Sequence, residues 1–277
     1  MPEFSDVRLA DSEAITWIIL NRPERYNALS ANLLEELSAA LEHLTDNGRP
    51  VIGIRGEGRG FSAGYDLHEI GEPRSSDPMP DRNRLKATLE RFLAIWDHPK
   101  PVIAAVHGAC IGGATQLCTF ADLTIVSEDA VIGQTKLPIG GGYVCPLWAP
   151  LVGPKRAKEM AFVPGNSISG ETAVHWGWAN HAVPAAALVE TVESLASSIA
   201  KTPPGVLALK KASINRAMEA LGVKHAASAT VEMDTLAHLT PEVGELRQWM
   251  REVGLDEAVR KYRCDPTEWI STQGASR

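Results

Sequence analysis

The stretch that decides the fold is PVIAAVHGACIGGATQL at residues 101–117. It starts with a fully apolar run at 102–106, which is typical of a strand buried on both faces of a sheet. His107-Gly108 then indicates a turn, and the glycine pair Gly112-Gly113 opens a predicted helix. A buried strand, a tight turn and a helix N-terminus therefore follow one another in this one segment.

The same order of elements occurs upstream of this segment. The apolar and β-branched run at 14–20 predicts a strand. After Ser30, which is suited to an N-cap, leucines from 33 to 44 recur at helical spacing and predict an amphipathic helix. A second strand is predicted at 51–54, and it leads into the glycine-rich loop GEGRGFSAG at 56–64.

The rest of the chain changes in character from strands to helices. Residues 72–84 are rich in Pro, Asp, Ser and Arg, which is typical of a surface loop. A second glycine-rich loop, LPIGGG, follows at 137–142, and helical patterns dominate after it. We therefore expect an α/β core at residues 1–202 and a helical C-terminal region at 203–277, divided at Pro203-Pro204.

Composition and charge exclude several classes of protein. The 277 residues carry a net charge of −7, which argues against a general nucleic-acid binder but allows a local cationic site for one anionic ligand. The four cysteines lack zinc-ligand spacing, so we expect free thiols and no metal site. The N-terminus does not resemble a secretion signal, and the longest uncharged stretch is interrupted by His and Gly, so we expect a cytoplasmic protein with no membrane span.

The two glycine-containing turns suggest a ligand site without a common nucleotide motif. Glycines at 56, 58, 60 and 64 do not fit the dinucleotide fingerprint, and neither a phosphate loop nor a nucleophile elbow is present. Small residues at Ala63 and Gly64, together with a helix N-terminus at Gly112-Gly113, leave backbone N–H groups accessible. Two such sites facing each other would stabilise a developing oxyanion, and simple tight turns are the alternative.

Five segments of the chain follow one another in this order: NRPERYNAL at 21–29, FSAGYDL at 61–67, PVIAAVHGACIGG at 101–113, ADL at 121–123 and IGQ at 132–134. In this order they resemble the enoyl-CoA hydratase/isomerase (crotonase) superfamily. The resemblance spans about residues 14–185 and implies an α/β fold with a crotonase-like spiral core of ββα turns. It also implies a C-terminal helical trimerisation region, giving a homotrimer or a dimer of trimers. The implied ligand is an acyl-CoA thioester, with no cofactor besides the coenzyme A of the substrate.

The resemblance also assigns roles to individual residues. It implies that the backbone N–H groups of Ala63 and Gly113 form the oxyanion hole that polarises the thioester carbonyl. It implies Arg25 as a ligand of the CoA phosphates, with a solvated turn residue as the alternative. Three further residues are implied near the adenine and pantetheine: Ala28, Asp66 and Leu67.

The sequence departs from the family pattern at the two positions where hydratases carry glutamates. Here those positions hold Gln116 and Lys136. A glutamine amide cannot accept a proton near neutral pH. Lys136 would be a base only if burial lowered its pKa, and otherwise it is a fixed cation. Ordinary hydration by a glutamate pair is therefore not expected.

Other groups in the loops are candidates for proton transfer. His68 follows the first glycine-rich loop, and Tyr143 follows the second. The alternatives are a surface histidine and a packing tyrosine. Three hypotheses remain: an acyl-CoA lyase, isomerase or hydratase acting through a thioester enolate, a degenerate member that only binds acyl-CoA, and a carbon–carbon bond hydrolase or decarboxylase with the same fold.

Overall fold

The computed structural model describes residues 2–70, 77–140 and 145–264, and within these ranges the side chains at 70, 145–147 and 263–264 are left out. The strands are Val7–Asp11 (β1), Ile15–Leu20 (β2), Val51–Gly56 (β3), Val102–Val106 (β4), Ala109–Ile111 (β5), Leu123–Ser127 (β6), Val131–Gly133 (β7), Ser167–Ile168 (β8) and His181–Val183 (β9). The helices are Ala31–Asp46 (α1), Leu67–Ile70 (α2), Met79–Asp97 (α3), Gly113–Phe120 (α4), Cys145–Val152 (α5), Pro154–Phe162 (α6), Gly170–Trp176 (α7), Leu188–Ile199 (α8), Pro204–Ala220 (α9), Val223–His238 (α10), Pro241–Val253 (α11) and Leu255–Cys264 (α12).

The strands form two sheets. The larger has the order β1-β2-β3-β4-β6-β9, in which β1 is antiparallel to β2 and the other neighbours are parallel. The smaller has the order β5-β7-β8. Because β2, β3 and β4 are parallel, the segments that follow them all emerge at the same edge of the sheet. That edge brings together the turn after β2, the glycine-rich loop after β3 and the turn before α4.

Both faces of the main sheet are covered by helices, as the apolar strand sequences predict. Side chains alternate between the faces with the period of two that a strand imposes. Ile52 and Ile54 share a buried cluster with α1, α3 and α4, whereas Val51 and Ile103 pack with Leu188 and other residues of α8. This double burial explains why the sequences of β2 to β4 are continuous apolar runs.

Two local expectations about helix starts have different outcomes. Ser30 is the N-cap of α1, and its Oγ accepts a hydrogen bond from the Leu33 N–H at 3.1 Å, as predicted. The prediction of a surface loop through residue 84 is wrong, because α3 already begins at Met79. Within the polar stretch, Asp81 pairs with His238 and Arg82 pairs with Glu232, both on α10, so ion pairs with a helix far along the chain support the helix there. Residues 71–76 of that stretch lie outside the described ranges.

The described C-terminal helices pack directly onto the core, but by two different means. In α10, Ala227 and Val231 are buried in the same apolar cluster as the main sheet. Helix α9 has no buried residue and is held instead by polar contacts. Lys211 Nζ lies 2.7 Å from Asp122 Oδ2 and also donates to the Ile95 carbonyl at 3.1 Å. The same Asp122 oxygen accepts the N–H of Val102, at the start of β4.

Burial shapes the electrostatics of the Lys211–Asp122 pair. Desolvation lowers the pKa of Lys211, which the Asp122 charge opposes. Desolvation likewise raises the pKa of Asp122, which the Lys211 charge opposes. Each charge is therefore tolerated at this depth because the other is present.

No helix within residues 2–70, 77–140 and 145–264 is long and apolar enough to cross a membrane.

Removal of the Lys211 charge should loosen α9. We expect Lys211→Met to lower the free energy of unfolding by about 2 kcal/mol, because the 22% exposed side chain of Asp122 loses its counterion and α9 loses its hydrogen bonds to the Ile95 and Lys100 carbonyls. Lys210→Met, at the adjacent exposed position, is the control and should change stability by less than about 0.5 kcal/mol. Urea unfolding at pH 7 measures both values, and equal stability of the two variants would contradict this role.

Candidate active site

The first glycine-rich loop is fixed by backbone hydrogen bonds to the turn that precedes α4. The Ser62 N–H donates to the Ala109 carbonyl at 2.9 Å, and the Ile111 N–H donates to the Ser62 carbonyl at 3.1 Å. Ser62 Oγ donates to the Asn27 carbonyl at 2.7 Å, which ties the turn after β2 to the same loop. Three segments that are far apart in sequence therefore meet at Ser62.

The two main segments also approach each other closely at Gly64. A methyl group on Gly64 would lie 2.4 Å from the Ile111 carbonyl oxygen and 3.3 Å from the Gly113 nitrogen. The φ angle of Gly64 is +87°, a conformation that glycine adopts without strain. Glycine is therefore required here both by its backbone angle and by the lack of space for a side chain.

Gly113 is the first residue of α4, so its N–H has no acceptor within the helix. The N-terminus of a helix carries a partial positive charge, and the N–H groups there point toward a bound anion. Because Gly64 approaches Gly113 so closely, the loop backbone and this N–H share one small region. The arrangement can stabilise negative charge on a carbonyl oxygen placed beside Gly113.

Tyr65 covers this region and connects it to Gln116. The Tyr65 ring packs on Gly113, where a methyl group would lie 2.8 Å from Cε2. Its hydroxyl donates to Oε1 of Gln116, a residue of α4 that is only 1% exposed. Gln116 is thus oriented by a phenol, and its amide group is an acceptor toward Tyr65 rather than a base. Sequence reasoning did not single out Tyr65, although it lies within the FSAGYDL motif.

The contacts of the Ala63 N–H disagree with its predicted role as an oxyanion donor. Its N–H donates to the Tyr26 carbonyl at 2.9 Å, so the group is already used by the protein. The structure therefore corrects the expectation that the Ala63 N–H is available to a ligand. The loop that carries Ala63 does lie beside Gly113, as expected.

Lys136 lies on the segment after β7, and its side chain is exposed. Its Cγ would be 3.1 Å from a methyl group on Gly165, and the Thr135 carbonyl accepts the Gly165 N–H at 2.9 Å. Because this side chain is exposed, the burial on which the option of a base depends is absent. Lys136 fits the alternative of a fixed cation.

The predicted CoA-binding turn presents cations at the surface. Arg25 is exposed, and its Nη1 lies 3.1 Å from Nε2 of His68, which is also exposed. The guanidinium of Arg59 lies 4.8 Å from the centre of the Tyr26 ring. Both arginines are exposed, so their positive charges are accessible to an anionic group in solution.

Asp66 belongs to the structural support of this turn. Its Oδ2 pairs with Arg22 Nη1 at 3.1 Å, and its Oδ1 accepts the His68 N–H at 3.1 Å. Ala28 is buried, and its carbonyl accepts from the same Arg22 nitrogen at 2.7 Å. Asp66 and Ala28 thus hold the loop through contacts within the protein, and both carboxylate oxygens of Asp66 have protein partners.

Leu67 links the first loop to the second. It packs, half-buried, on an apolar cluster that includes Leu137 and Ile139 from the second glycine-rich loop and Trp249 from α11. The start of α2, the second loop and the C-terminal helices therefore share one apolar contact region. Tyr143 lies outside the described residues.

Comparison with known proteins agrees with this architecture. A family model described as enoyl-CoA hydratase/isomerase matches residues 10–252. A crystal structure from Novosphingobium aromaticivorans, provisionally assigned as an enoyl-CoA hydratase/isomerase, is 52% identical with a TM-score of 0.90, covering 93% of this chain and 95% of that one.

Two curated relatives catalyse different reactions. The hydroxycinnamoyl-CoA hydratase-lyase of Pseudomonas fluorescens is 27% identical over 93% of this chain and 96% of its own length. The 1,2-epoxyphenylacetyl-CoA isomerase of Escherichia coli is 32% identical over 74% of this chain and 80% of its own length.

The chain belongs to the enoyl-CoA hydratase/isomerase family, and the prediction of a crotonase-like α/β fold is confirmed. Members of this family act on acyl-CoA thioesters, which makes this chain an enzyme of that family by descent. The relatives differ in reaction, so family membership does not by itself identify the reaction here.

The approach of the two loops can be tested by substitution at Gly64. Gly64→Ala should lower the free energy of unfolding by at least about 2 kcal/mol, because it combines a strained positive φ with a contact on the Ile111 carbonyl. Gly205→Ala is the control, since a methyl group there meets no atom within 4 Å. Thermal and urea unfolding report both values. A Gly64→Ala protein as stable as the wild type would show that the loops are further apart.

Proposed function

We propose that this protein binds an acyl-CoA thioester and stabilises its enolate beside the Gly113 N–H, without the hydration that a glutamate pair performs. The observation that carries the proposal is the close approach of Gly64 to Gly113 at the N-terminus of α4. A thioester carbonyl seated there would gain negative charge as its α-proton leaves, and the helix N-terminus would stabilise that charge.

The replacements at the glutamate positions support chemistry other than hydration. Activation of a water molecule needs a proton acceptor, and Gln116 offers an amide held by the Tyr65 hydroxyl. Lys136 is exposed and positively charged, so it is not an acceptor. An isomerisation, a lyase reaction or another step through an enolate needs the oxyanion site but not this pair of carboxylates.

Exchange of the α-protons is the direct test of enolate formation. In D2O, we expect butyryl-CoA or phenylacetyl-CoA to exchange its α-protons on the order of 10³-fold faster with the protein than without it, as stabilisation of the oxyanion predicts. Loss of the α-proton signal in NMR measures the rate. Crotonyl-CoA should not be hydrated, so its absorbance at the thioester band should not change.

The other outcomes of this experiment separate the remaining hypotheses. Tight binding of both thioesters by calorimetry without exchange would favour the degenerate, binding-only member and overturn the enolate proposal. Rapid hydration of crotonyl-CoA would contradict the interpretation that Gln116 and Lys136 do not perform the role of the glutamate pair in a hydratase. A protein that shows no binding and no exchange would exclude butyryl-CoA and phenylacetyl-CoA as its ligands.

Arg25 is the residue to test for recognition of the CoA phosphates. We expect Arg25→Ala to weaken the binding of CoA esters about tenfold, the loss typical of one hydrogen bond to a charged group. The loss should diminish at high salt, since the site is exposed. Arg216→Ala, which removes an exposed arginine from α9, is the control. Calorimetry at two salt concentrations measures the effect. Unchanged affinity would show that Arg25 is a solvated turn residue and not a ligand of the CoA phosphates.

We also propose assembly as a homotrimer or a dimer of trimers. Helices α9 and α10 carry large apolar side chains at the surface, among them Leu209, Ile214 and Met233, each more than 60% exposed. Several exposed side chains of this size on neighbouring helices are typical of a surface that packs against another protein chain. Contacts between copies of this chain would remove them from water.

A further inference from the structure

The side-chain amide of Gln116 lies beside the proposed oxyanion donor. Gln116 follows Gly113 by three positions in α4. Because the side chains of a helix lean toward its N-terminus, Gln116 covers the turn that begins at Gly113. Tyr65 gives independent evidence, since one ring contacts both residues. Its Cζ would lie 2.9 Å from a methyl group on Gly113, and the hydroxyl on that carbon donates to Oε1 of Gln116.

The hydrogen bond from Tyr65 determines which end of the amide can serve a ligand. A glutamine amide has an oxygen that accepts and a nitrogen that carries two donor hydrogens. Tyr65 uses the oxygen, so the donors on Nε2 remain. Within the part of the chain that the structure describes, no group accepts a hydrogen bond from Nε2 of Gln116, although this residue is only 1% exposed. A donor at this depth is satisfied by an acceptor atom of a bound molecule.

The neighbouring hydroxyl groups of α4 are used by the helix itself. The Thr115 hydroxyl donates to the Gly112 carbonyl at 2.7 Å, and the Thr119 hydroxyl donates to the Thr115 carbonyl at 2.8 Å. The first turn of α4 therefore offers a ligand the backbone N–H of Gly113 and the side-chain nitrogen of Gln116. Two donors side by side at a helix N-terminus fit a ligand with two oxygen atoms that share a negative charge.

A 3-oxoacyl thioester carries two oxygens in this arrangement. One carbon separates its thioester carbonyl from its 3-oxo carbonyl, so both oxygens can point to the same side of the acyl chain. The proton on that carbon is more acidic than the α-proton of a simple thioester, because the charge of the enolate spreads over both oxygens. Such a substrate depends less on a strong base, which agrees with an amide and an ammonium group at positions 116 and 136.

We propose that this enzyme takes acyl-CoA thioesters with a 3-oxo group, that Gln116 is the residue that selects them, and that Tyr65 is the positioning residue for Gln116. The inference rests on the proposed function. Nε2 of Gln116 donates to the 3-oxo oxygen while the Gly113 N–H donates to the thioester oxygen. When water takes the proton between the two carbonyls, the electron pair of the C–H bond is shared by the two oxygens, and each oxygen meets one donor.

Butyryl-CoA and acetoacetyl-CoA are the probes, because their acyl groups have the same length and differ only in the 3-oxo group. Calorimetry at pH 7.5 measures the affinity of the protein for each ester. We expect the wild type to bind acetoacetyl-CoA about tenfold more tightly, as one additional hydrogen bond predicts. Equal affinities for the two esters would overturn the inference.

Gln116→Glu is the matched substitution. It keeps an oxygen that accepts from Tyr65 and replaces the donor nitrogen with a second oxygen, so the preference for acetoacetyl-CoA should disappear. Gln248→Glu makes the same change of atoms and charge at an exposed glutamine of α11 and should keep the wild-type preference. Gln116→Met, which also lacks a donor, replaces Gln116→Glu if that variant does not fold. A folded variant without the donor that keeps the wild-type preference would contradict the role of Gln116.

Tyr65→Phe tests the positioning role. The phenylalanine keeps the ring on Gly113 but leaves the amide without its hydroxyl partner. We expect the preference for acetoacetyl-CoA to fall severalfold, while the affinity for butyryl-CoA and the thermal midpoint stay close to those of the wild type. A ring that only packs on the helix would leave the ratio of affinities unchanged, and that result would overturn the positioning role of Tyr65.

Failure of this inference is distinguishable from failure of the proposed function, because the ratio of affinities and the exchange of α-protons are separate measurements. A protein that exchanges the α-protons of butyryl-CoA but binds the two esters equally overturns the role of Gln116 and leaves the enolate proposal intact. A protein that prefers acetoacetyl-CoA but exchanges no α-proton overturns the enolate proposal, and only the binding role of Gln116 stands.

Discussion

The close approach of two backbone segments at Gly64 and Gly113 is the constraint on which the site depends. Parallel strands bring both segments to one edge of the sheet, and the hydrogen bonds of Ser62 then hold the loop against the turn before α4. A side chain at Gly64 would separate them by its contact with the Ile111 carbonyl. The helix N-terminus thus faces a loop rather than solvent alone, and Tyr65 covers the junction.

Charge is distributed around this junction in a way that suits a large anionic thioester. Arg25 and Arg59 lie at the exposed rim, where solvent keeps the cost of isolated cations low. The interior beside Gly113 holds the neutral pair of Tyr65 and Gln116. Where a hydratase would place carboxylates, this chain has an amide and an exposed ammonium group.

Much of the architecture was predictable because the relevant signals are local. The apolar runs of β2 to β4, the cap at Ser30 and the glycine pair before α4 each depend on a few consecutive residues. The start of α3 was not predictable in this way, because Asp81 and Arg82 form their ion pairs with residues of α10 that are about 150 positions away in the chain. Tyr65 lay within the motif, but only its packing on Gly113 gives it a role.

The sequence by itself determined the family, the order of strands and helices, and the glycines that permit the two loops to meet. Only the tertiary structure decided that the Ala63 N–H is used by Tyr26 and that Lys136 stays in solvent. Only the tertiary structure pairs His238 with Asp81, 157 residues away in the chain. The reason is physical: periodicity and backbone preference act between neighbours, whereas hydrogen-bond partners and burial depend on segments that meet only after folding.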